Sequence, residues 1–234
     1  MSSTKSKTVS RPFTPLKRLW HRHIRRPAAE DRYLQECRGV IHVGANTGQE
    51  RKLYDTYNLN VLWIEPIPDV FARLQSYIAN YPKQKAVQAL ITDRDGQEIT
   101  LHIANNAGAS SSIFELGEHK DVWPDVAYSG KITCVSKTLK SLMTEPGIDP
   151  DRYDALVMDT QGSELLVLKG AEPLLSRFKF IKTEAADFEM YQGGVKLAEL
   201  ESFLAARGFT IIRKDSFAKR EQGGACFDVV FKRT

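Results

Sequence analysis

Cysteine is scarce in this chain of 234 residues, which holds only Cys37, Cys134 and Cys226. They are far apart, odd in number and form no Cys-x-x-Cys pair, which argues against a disulfide framework or a zinc site. Reduced thiols suit a cytoplasmic protein. Long apolar runs are also missing. None reaches the roughly 18 residues of a membrane-spanning helix, and the N-terminus lacks the apolar core of a secretory signal. Acid is missing from residues 1–29, which hold eight Lys or Arg and no Asp or Glu. Without that segment the chain carries 25 basic against 29 acidic residues. Such a body lacks the basic balance of a nucleic-acid binder, and no nucleic-acid partner is expected.

With 42% hydrophobic and 26% charged residues overall, the chain suits one soluble domain with its own core. The sequence divides into a basic N-terminal segment, 1–30, and a globular domain, 31–234. Within the basic segment Leu16, Leu19, Trp20 and Ile24 fall at helical spacing between Pro15 and Pro27. This pattern predicts a short amphipathic basic helix or a mobile tail, with peripheral contact to an anionic membrane surface as its functional reading.

Further on, short buried strands alternate with helices. Strands are expected at 39–43, 61–64, 86–91, 97–103, 131–135, 155–158 and 178–183, with a closing pair at 209–213 and 226–231. Helices are expected to about Tyr57, at 69–79, 139–143, 164–175 (broken near Gly170 and Pro173) and 197–207. Residues 104–130 lack periodicity and read as a long loop or lid. Alternation of this kind predicts an α/β, doubly wound, Rossmann-like sheet, mostly parallel, with helices on both faces.

In such sheets ligands sit beyond the C-terminal strand ends, where strand order reverses. Gly44-Ala45-Asn46-Thr47-Gly48 follows the first strand. It is not GxGxxG, because Asn46 replaces the second glycine, nor a P-loop, because no Lys-Ser/Thr follows Gly48. Glu65 ends the second strand, at the separation from Gly44 that suits a carboxylate reading a ribose 2′,3′-diol. Together they predict a nucleoside ligand, either NAD or S-adenosylmethionine. Asp159 and Glu184 end two further strands and are expected to point into the same cleft. With Glu164, they are the candidates for orienting an acceptor hydroxyl or taking its proton. A divalent metal is not favoured, since Gln161 stands where a further acid would be wanted. His42 reads as a core residue.

Several ordered blocks choose between the two nucleosides. Val43-Gly44-Ala45-Asn46-Thr47-Gly48-Gln49, Ile64-Glu65-Pro66, Asp93 with Gly96, Asn106-Ala107-Gly108-Ala109-Ser110-Ser111, and Met158 through Ala171 resemble the FkbM family of methyltransferases, as do Glu184, Tyr191-Gln192-Gly193 and Gly208-Phe209. The resemblance runs from about residue 38 to 232. It implies a seven-stranded class I methyltransferase sheet with an antiparallel C-terminal strand, and S-adenosylmethionine as cofactor. Gly44, Asn46 and Gly48 would line the methionine end, Glu65 would hold the ribose, Asp93 would lie near the adenine, and Ser110 would join the cofactor site. The family position two residues before the first glycine is often acidic. Here it is His42, so the cofactor's amino group would fall to another acid such as Asp159. The expected activity is methylation of a hydroxyl on a sugar, glycolipid or secondary metabolite. The competing readings are a non-catalytic binding module and an NAD-dependent oxidoreductase.

Overall fold

The computed structural model describes residues 29–234. The basic segment 1–28, with its expected amphipathic helix, lies outside the described residues. A 3-10 turn at Ala29–Glu36 leads into β1 (Gly39–Val43), α1 (Arg51–Thr56), β2 (Asn60–Ile64), α2 (Pro68–Ile78) and β3 (Gln84–Val87). Next come β4 (Leu90–Ile91), β5 (Glu98–Ala104), β6 (Tyr128–Lys137) and α3 (Leu139–Leu142). The second half adds β7 (Ala155–Met158), α4 (Glu164–Gly170), β8 (Phe180–Ala186), α5 (Leu197–Ala205), β9 (Phe209–Lys219) and β10 (Ala225–Arg233).

Seven strands form one sheet in the order β3-β2-β1-β7-β8-β10-β9, in which only β10 runs against the others. The chain winds outward from β1 to β3, then returns to β7 beside β1. The order therefore reverses between β1 and β7, and a crevice opens there above the carboxyl ends. Side-chain alternation divides the core into two layers. Ile41, Val43, Leu62, Ile64, Leu156 and Met158 face α3, α4 and α5 through Leu139, Val167, Leu168 and Leu200. Val40, Val61, Trp63, Ala155 and Val157 face the other way, against Tyr33, Tyr54, Leu74 and Ile78. Each fully buried large apolar side chain contributes about 1.5–3 kcal/mol, so the two layers supply the main drive for the fold.

Among the helices, α2 shows how the sequence sets the boundaries. Pro68 opens it, where a missing N–H costs nothing, and Asp69 complements the dipole of the first turn. Val70, Leu74 and Ile78 recur at helical spacing and are the buried residues.

Three expectations are corrected. The single strand expected at 86–91 is two strands. β4 leaves the main sheet to pair with β6 at Leu90↔Ser136 and Ile91↔Lys137, in a second sheet of order β4-β6-β5. Burial of Ala89 and Ile91 in the same layer as α4 holds β4 inward. Glu184 is not a strand end, because β8 continues to Ala186 while β10 pairs alongside it at Asp228↔Glu184 and Cys226↔Ala186. The stretch 104–130 is not a free lid. It bridges at His102↔Ser112 and Leu116↔Tyr191, and it contains a 3-10 turn at Glu118–Asp121. Among the described residues, no helix is long and apolar enough to cross a membrane.

Candidate active site

The turn after β1 is built around close backbone approach. Asp159 N donates to Val43 O at 3.0 Å, which draws the end of β7 against the end of β1. Gly44 adopts φ +80°, and a Cβ there would overlap the Asp159 carbonyl oxygen. Only glycine meets both demands. Gly48, at φ +68°, faces the other way. A Cβ there would lie 2.7 Å from Leu74 Cδ1, so this glycine lets α2 pack and does not line the crevice.

Above the reversal point lies a cavity of about 540 Å³. Glu65 sits in its wall, only 4% exposed. Its Oε2 accepts from Asn46 N at 2.8 Å and its Oε1 from Ile67 N at 2.9 Å. Those two bonds aim the carboxylate and leave lone pairs on both oxygens. Burial nonetheless dominates and pushes its pKa up to about 7, against the downward pull of the two N–H groups. Apolar Ile67, Leu90, Ile91, Leu101 and Ile113 wall the same region.

Asp159 lines the cavity from the end of β7, and Glu184 lines it from β8. Burial, then the neighbouring Glu164 charge, raises the Asp159 pKa to about 7, although the Gln161 amide donates to it. Burial, with Asp159 and Asp228 nearby, drives the Glu184 pKa well above the ordinary carboxylate range. Beside them Lys182 Nζ lies 3.3 Å from Asp228 Oδ1. Burial opposes its charge, yet Asp228, Tyr33, Asp31 and Glu50 outweigh that and hold it protonated.

A turn over residues 160–162 closes this side. Gln161 takes φ +53°, a left-handed conformation that costs a non-glycine residue about 1 kcal/mol. It is held from three directions. Tyr191 O–H donates to Gln161 Oε1, Gln161 Nε2 donates to Asp159 Oδ1, and Ser112 O–H donates to Gln161 O. Glu164, expected to act on an acceptor, instead braces this turn. It is 3% exposed and accepts from Thr160 N at 2.9 Å, Thr160 Oγ1 at 3.1 Å and Gly162 N at 3.1 Å. It does not reach the cavity wall.

The cavity thus gathers Gly44, Asn46, Glu65, Ser110, Asp159 and Glu184, but not Gly48, Glu164 or Asp93. Asp93 stands outside the lining, with Arg94 Nε 3.9 Å from its Oδ2. Ser110 is fixed by Asn106, whose Nδ2 donates to its Oγ at 2.9 Å while Ser110 N donates back to Asn106 Oδ1 at 3.1 Å.

Other residues complete the lining. His42 is on the wall, stacked on Trp63 at 5.0 Å between centroids, with its Nδ1 3.1 Å from the Tyr54 hydroxyl. Burial lowers its pKa, so the ring is neutral. Glu50, at the N-terminal end of α1, supplies a nearby carboxylate, and His119, Trp123, Arg213 and Asp228 complete the far wall. Glu50 carried a signal, since it follows the glycine turn by two residues. Asp228 and Arg213 carried none, because only the pairing of β9 and β10 brings them here. Among the described residues, no three His, Cys, Asp or Glu side chains are grouped to hold a metal ion.

Comparison with known proteins follows the same outline. The chain is 27% identical over 173 residues to the 2-O-methyltransferase NoeI of Sinorhizobium fredii (strain NBRC 101917 / NGR234), covering 70% of each chain. Magnesium protoporphyrin IX methyltransferase from Synechocystis PCC 6803, solved with bound SAM, is similar at 12% identity and TM-score 0.45, over 83% of this chain and 69% of that one. A SAM dependent methyltransferase from Aquifex aeolicus is similar at 11% identity and TM-score 0.44, over 88% and 90%. The model of the methyltransferase FkbM domain matches residues 42–211, from β1 to the start of β9. That span holds every strand of the crevice up to β8, together with Gly44, Glu65, Asp159 and Glu184, and the chain belongs to the FkbM methyltransferase family.

Proposed function

We propose that this methyltransferase takes S-adenosylmethionine in the cavity and passes its methyl group to a hydroxyl of a sugar, glycolipid or secondary metabolite. The observation that carries the reading is Glu65: a buried carboxylate at the end of β2, aimed by two backbone N–H groups and short of hydrogen-bond donors. A ribose diol offers two O–H donors to such a group. The apolar wall of Ile67, Ile91, Leu101 and Ile113 suits a flat base beside it. The cavity residues therefore fit the nucleoside. When bound, S-adenosylmethionine supplies an electrophilic methyl group on a sulfonium sulfur.

The protein's own part is to orient the acceptor and take its proton. Asp159 and Glu184 are carboxyl groups whose pKa values burial raises, that of Asp159 to about 7. As the acceptor oxygen gains its bond to carbon, its hydroxyl proton passes to the ionised member of the pair. Gln161 and Tyr191 keep Asp159 in place for this role. The similarity to a 2-O-methyltransferase supports oxygen as the accepting atom. Calorimetry with S-adenosylmethionine and S-adenosylhomocysteine, with NAD as control, tests the donor. Micromolar binding of the first two and none of NAD is expected. A folded protein that binds neither refutes the reading.

A further inference from the structure

The cavity is longer than one nucleoside site. Glu65 ends β2, whereas Glu184 lies on β8, three strands away in the order β2-β1-β7-β8. At strand spacing this is about 14 Å. Beyond β8 the wall continues through Asp228 on β10, Arg213 and Phe217 on β9, and His119 and Trp123 of the 104–127 loop. A ligand anchored on Glu65 leaves this far compartment free.

His119 is the unusual group there. Its side chain is 1% exposed, it lines the cavity, and its Nδ1 has no hydrogen-bond partner among the described residues. Leaving a buried polar atom unpaired costs about 1–3 kcal/mol, and such atoms call for an explanation. Poor anchoring is not that explanation. Glu118 N donates to Glu189 O at 3.0 Å, His119 N to Met190 O at 3.1 Å, and Glu189 N to Glu118 Oε2 at 3.1 Å. Arg220 pairs with Glu118 and stacks over Phe188. The ring itself is wedged between Trp123, at 4.9 Å, and Tyr191, at 5.4 Å between centroids. Through Tyr191 and Gln161 it abuts Asp159. Burial also lowers the His119 pKa to about 4, so the ring is uncharged at neutral pH and its unpartnered nitrogen suits a neutral hydroxyl.

We infer that this far compartment is the acceptor subsite, that it takes a neutral pyranose ring, and that His119 hydrogen-bonds a ring hydroxyl while Trp123 packs against the ring face. This rests on the methyl-donor reading above. The chemistry of the walls selects the class. Among the described residues, the cation on this wall, Arg213, is paired with Asp215 and so is engaged before any phosphate or carboxylate arrives. Carboxylates, one neutral imidazole and one half-buried indole are instead a set that accepts hydroxyl protons and covers an apolar ring face.

The test uses protein saturated with S-adenosylhomocysteine and three probes: the methyl pyranosides of glucose, mannose and fucose. Saturation-transfer NMR reads binding in wild type, His119→Phe and Trp123→Ala, and calorimetry reads S-adenosylhomocysteine in each. At least one pyranoside should bind wild type and weaken about tenfold or more in both variants, with the nucleoside affinity unchanged. Should His119→Phe fail to fold, His119→Gln, which keeps the volume and a polar tip, takes its place. No pyranoside binding to a protein that holds the nucleoside would overturn the subsite. Equal pyranoside binding by wild type and variants would overturn the role of the two residues. Failure of wild type to bind S-adenosylhomocysteine would overturn the donor reading, and this inference with it.

Discussion

Replacing Glu65 by Gln tests the nucleoside site at its most specific point. In the ligand-free protein both carboxylate oxygens accept backbone N–H groups, from Asn46 and Ile67. An amide cannot do so, because one of its ends is a donor and must face one of those N–H groups. The variant therefore loses an anchoring bond, the charge, and one of two contacts to a diol. Charged hydrogen bonds contribute about 1.5–3 kcal/mol each, so losing both diol contacts would cost about 3–6 kcal/mol, or about two to four orders of magnitude in Kd. Retaining one acceptor oxygen places Glu65→Gln at the lower end, with S-adenosylhomocysteine bound about a hundredfold more weakly. Protons give an independent readout. The free carboxyl titrates near pH 7, and two added O–H donors favour its ionised form. Binding at pH 7 should then release about half a proton from Glu65, and release should fade above pH 8. Calorimetry in phosphate and in Tris separates proton release from binding heat. If Glu65→Gln binds within threefold of wild type, or releases as many protons at pH 7, the diol assignment is wrong.

Asp159→Asn should lower turnover by about 10²–10⁴ while S-adenosylhomocysteine Kd stays within about threefold, and equal losses in both would refute a role in chemistry. Gly44→Ala forces a side chain into the left-handed region and against the Asp159 carbonyl; denaturant unfolding should show a loss of about 3 kcal/mol or more, and a loss under 1 kcal/mol would refute the close approach. Glu65 also makes ligand-free stability depend on pH, because its folded pKa of about 7 exceeds the ordinary 4.5. Its protonated form stabilises the fold fully below pH 4.5, and that contribution is lost as pH rises through 7. Wild type should therefore lose about 3 kcal/mol relative to Glu65→Gln between pH 4.5 and 8, and a pH-independent difference between the two would refute the shift.

The parts of the fold legible in the sequence were those set locally. Buried runs such as Val61–Ile64 and Ala155–Met158 are too short for helices and end at Glu65 and Asp159, so strand, terminus and candidate residue come from the same few letters. What local pattern could not reveal was which way a polar residue turns. Glu164 reads as an acid near the cleft, but the N–H groups of Thr160 and Gly162 claim its carboxylate. Gly48 reads as part of the ligand turn, but Leu74 of α2 occupies the space a side chain would need. The split between β3 and β4 is set by a partner strand more than 40 residues away. His119 sits in a stretch without periodicity, and only the contacts of Glu118 and His119 with Glu189 and Met190 make it a wall residue.

The electrostatics of the crevice follow from that same convergence. Glu50, Asp159, Glu184 and Asp228 come from separate parts of the chain and face one space, with Lys182 beside them and Arg213 on the far wall. Lys182 pairs with Asp228, and Asp159 and Glu184 lie in a poorly solvated place beside them. Burial is the main reason that the pKa values of Asp159 and Glu184 rise, and neighbouring acids add to it. A cationic ligand would oppose that rise, by supplying positive charge and letting the protons leave. On the proposed reading, Asp159 would then meet the acceptor hydroxyl in its ionised form. The crowding of acids that helps raise these pKa values in the empty crevice would, on that reading, ready a base when a sulfonium ligand arrives. The Asp159 carboxylate is held for that role by Gln161, which Tyr191 and Ser112 fix in turn.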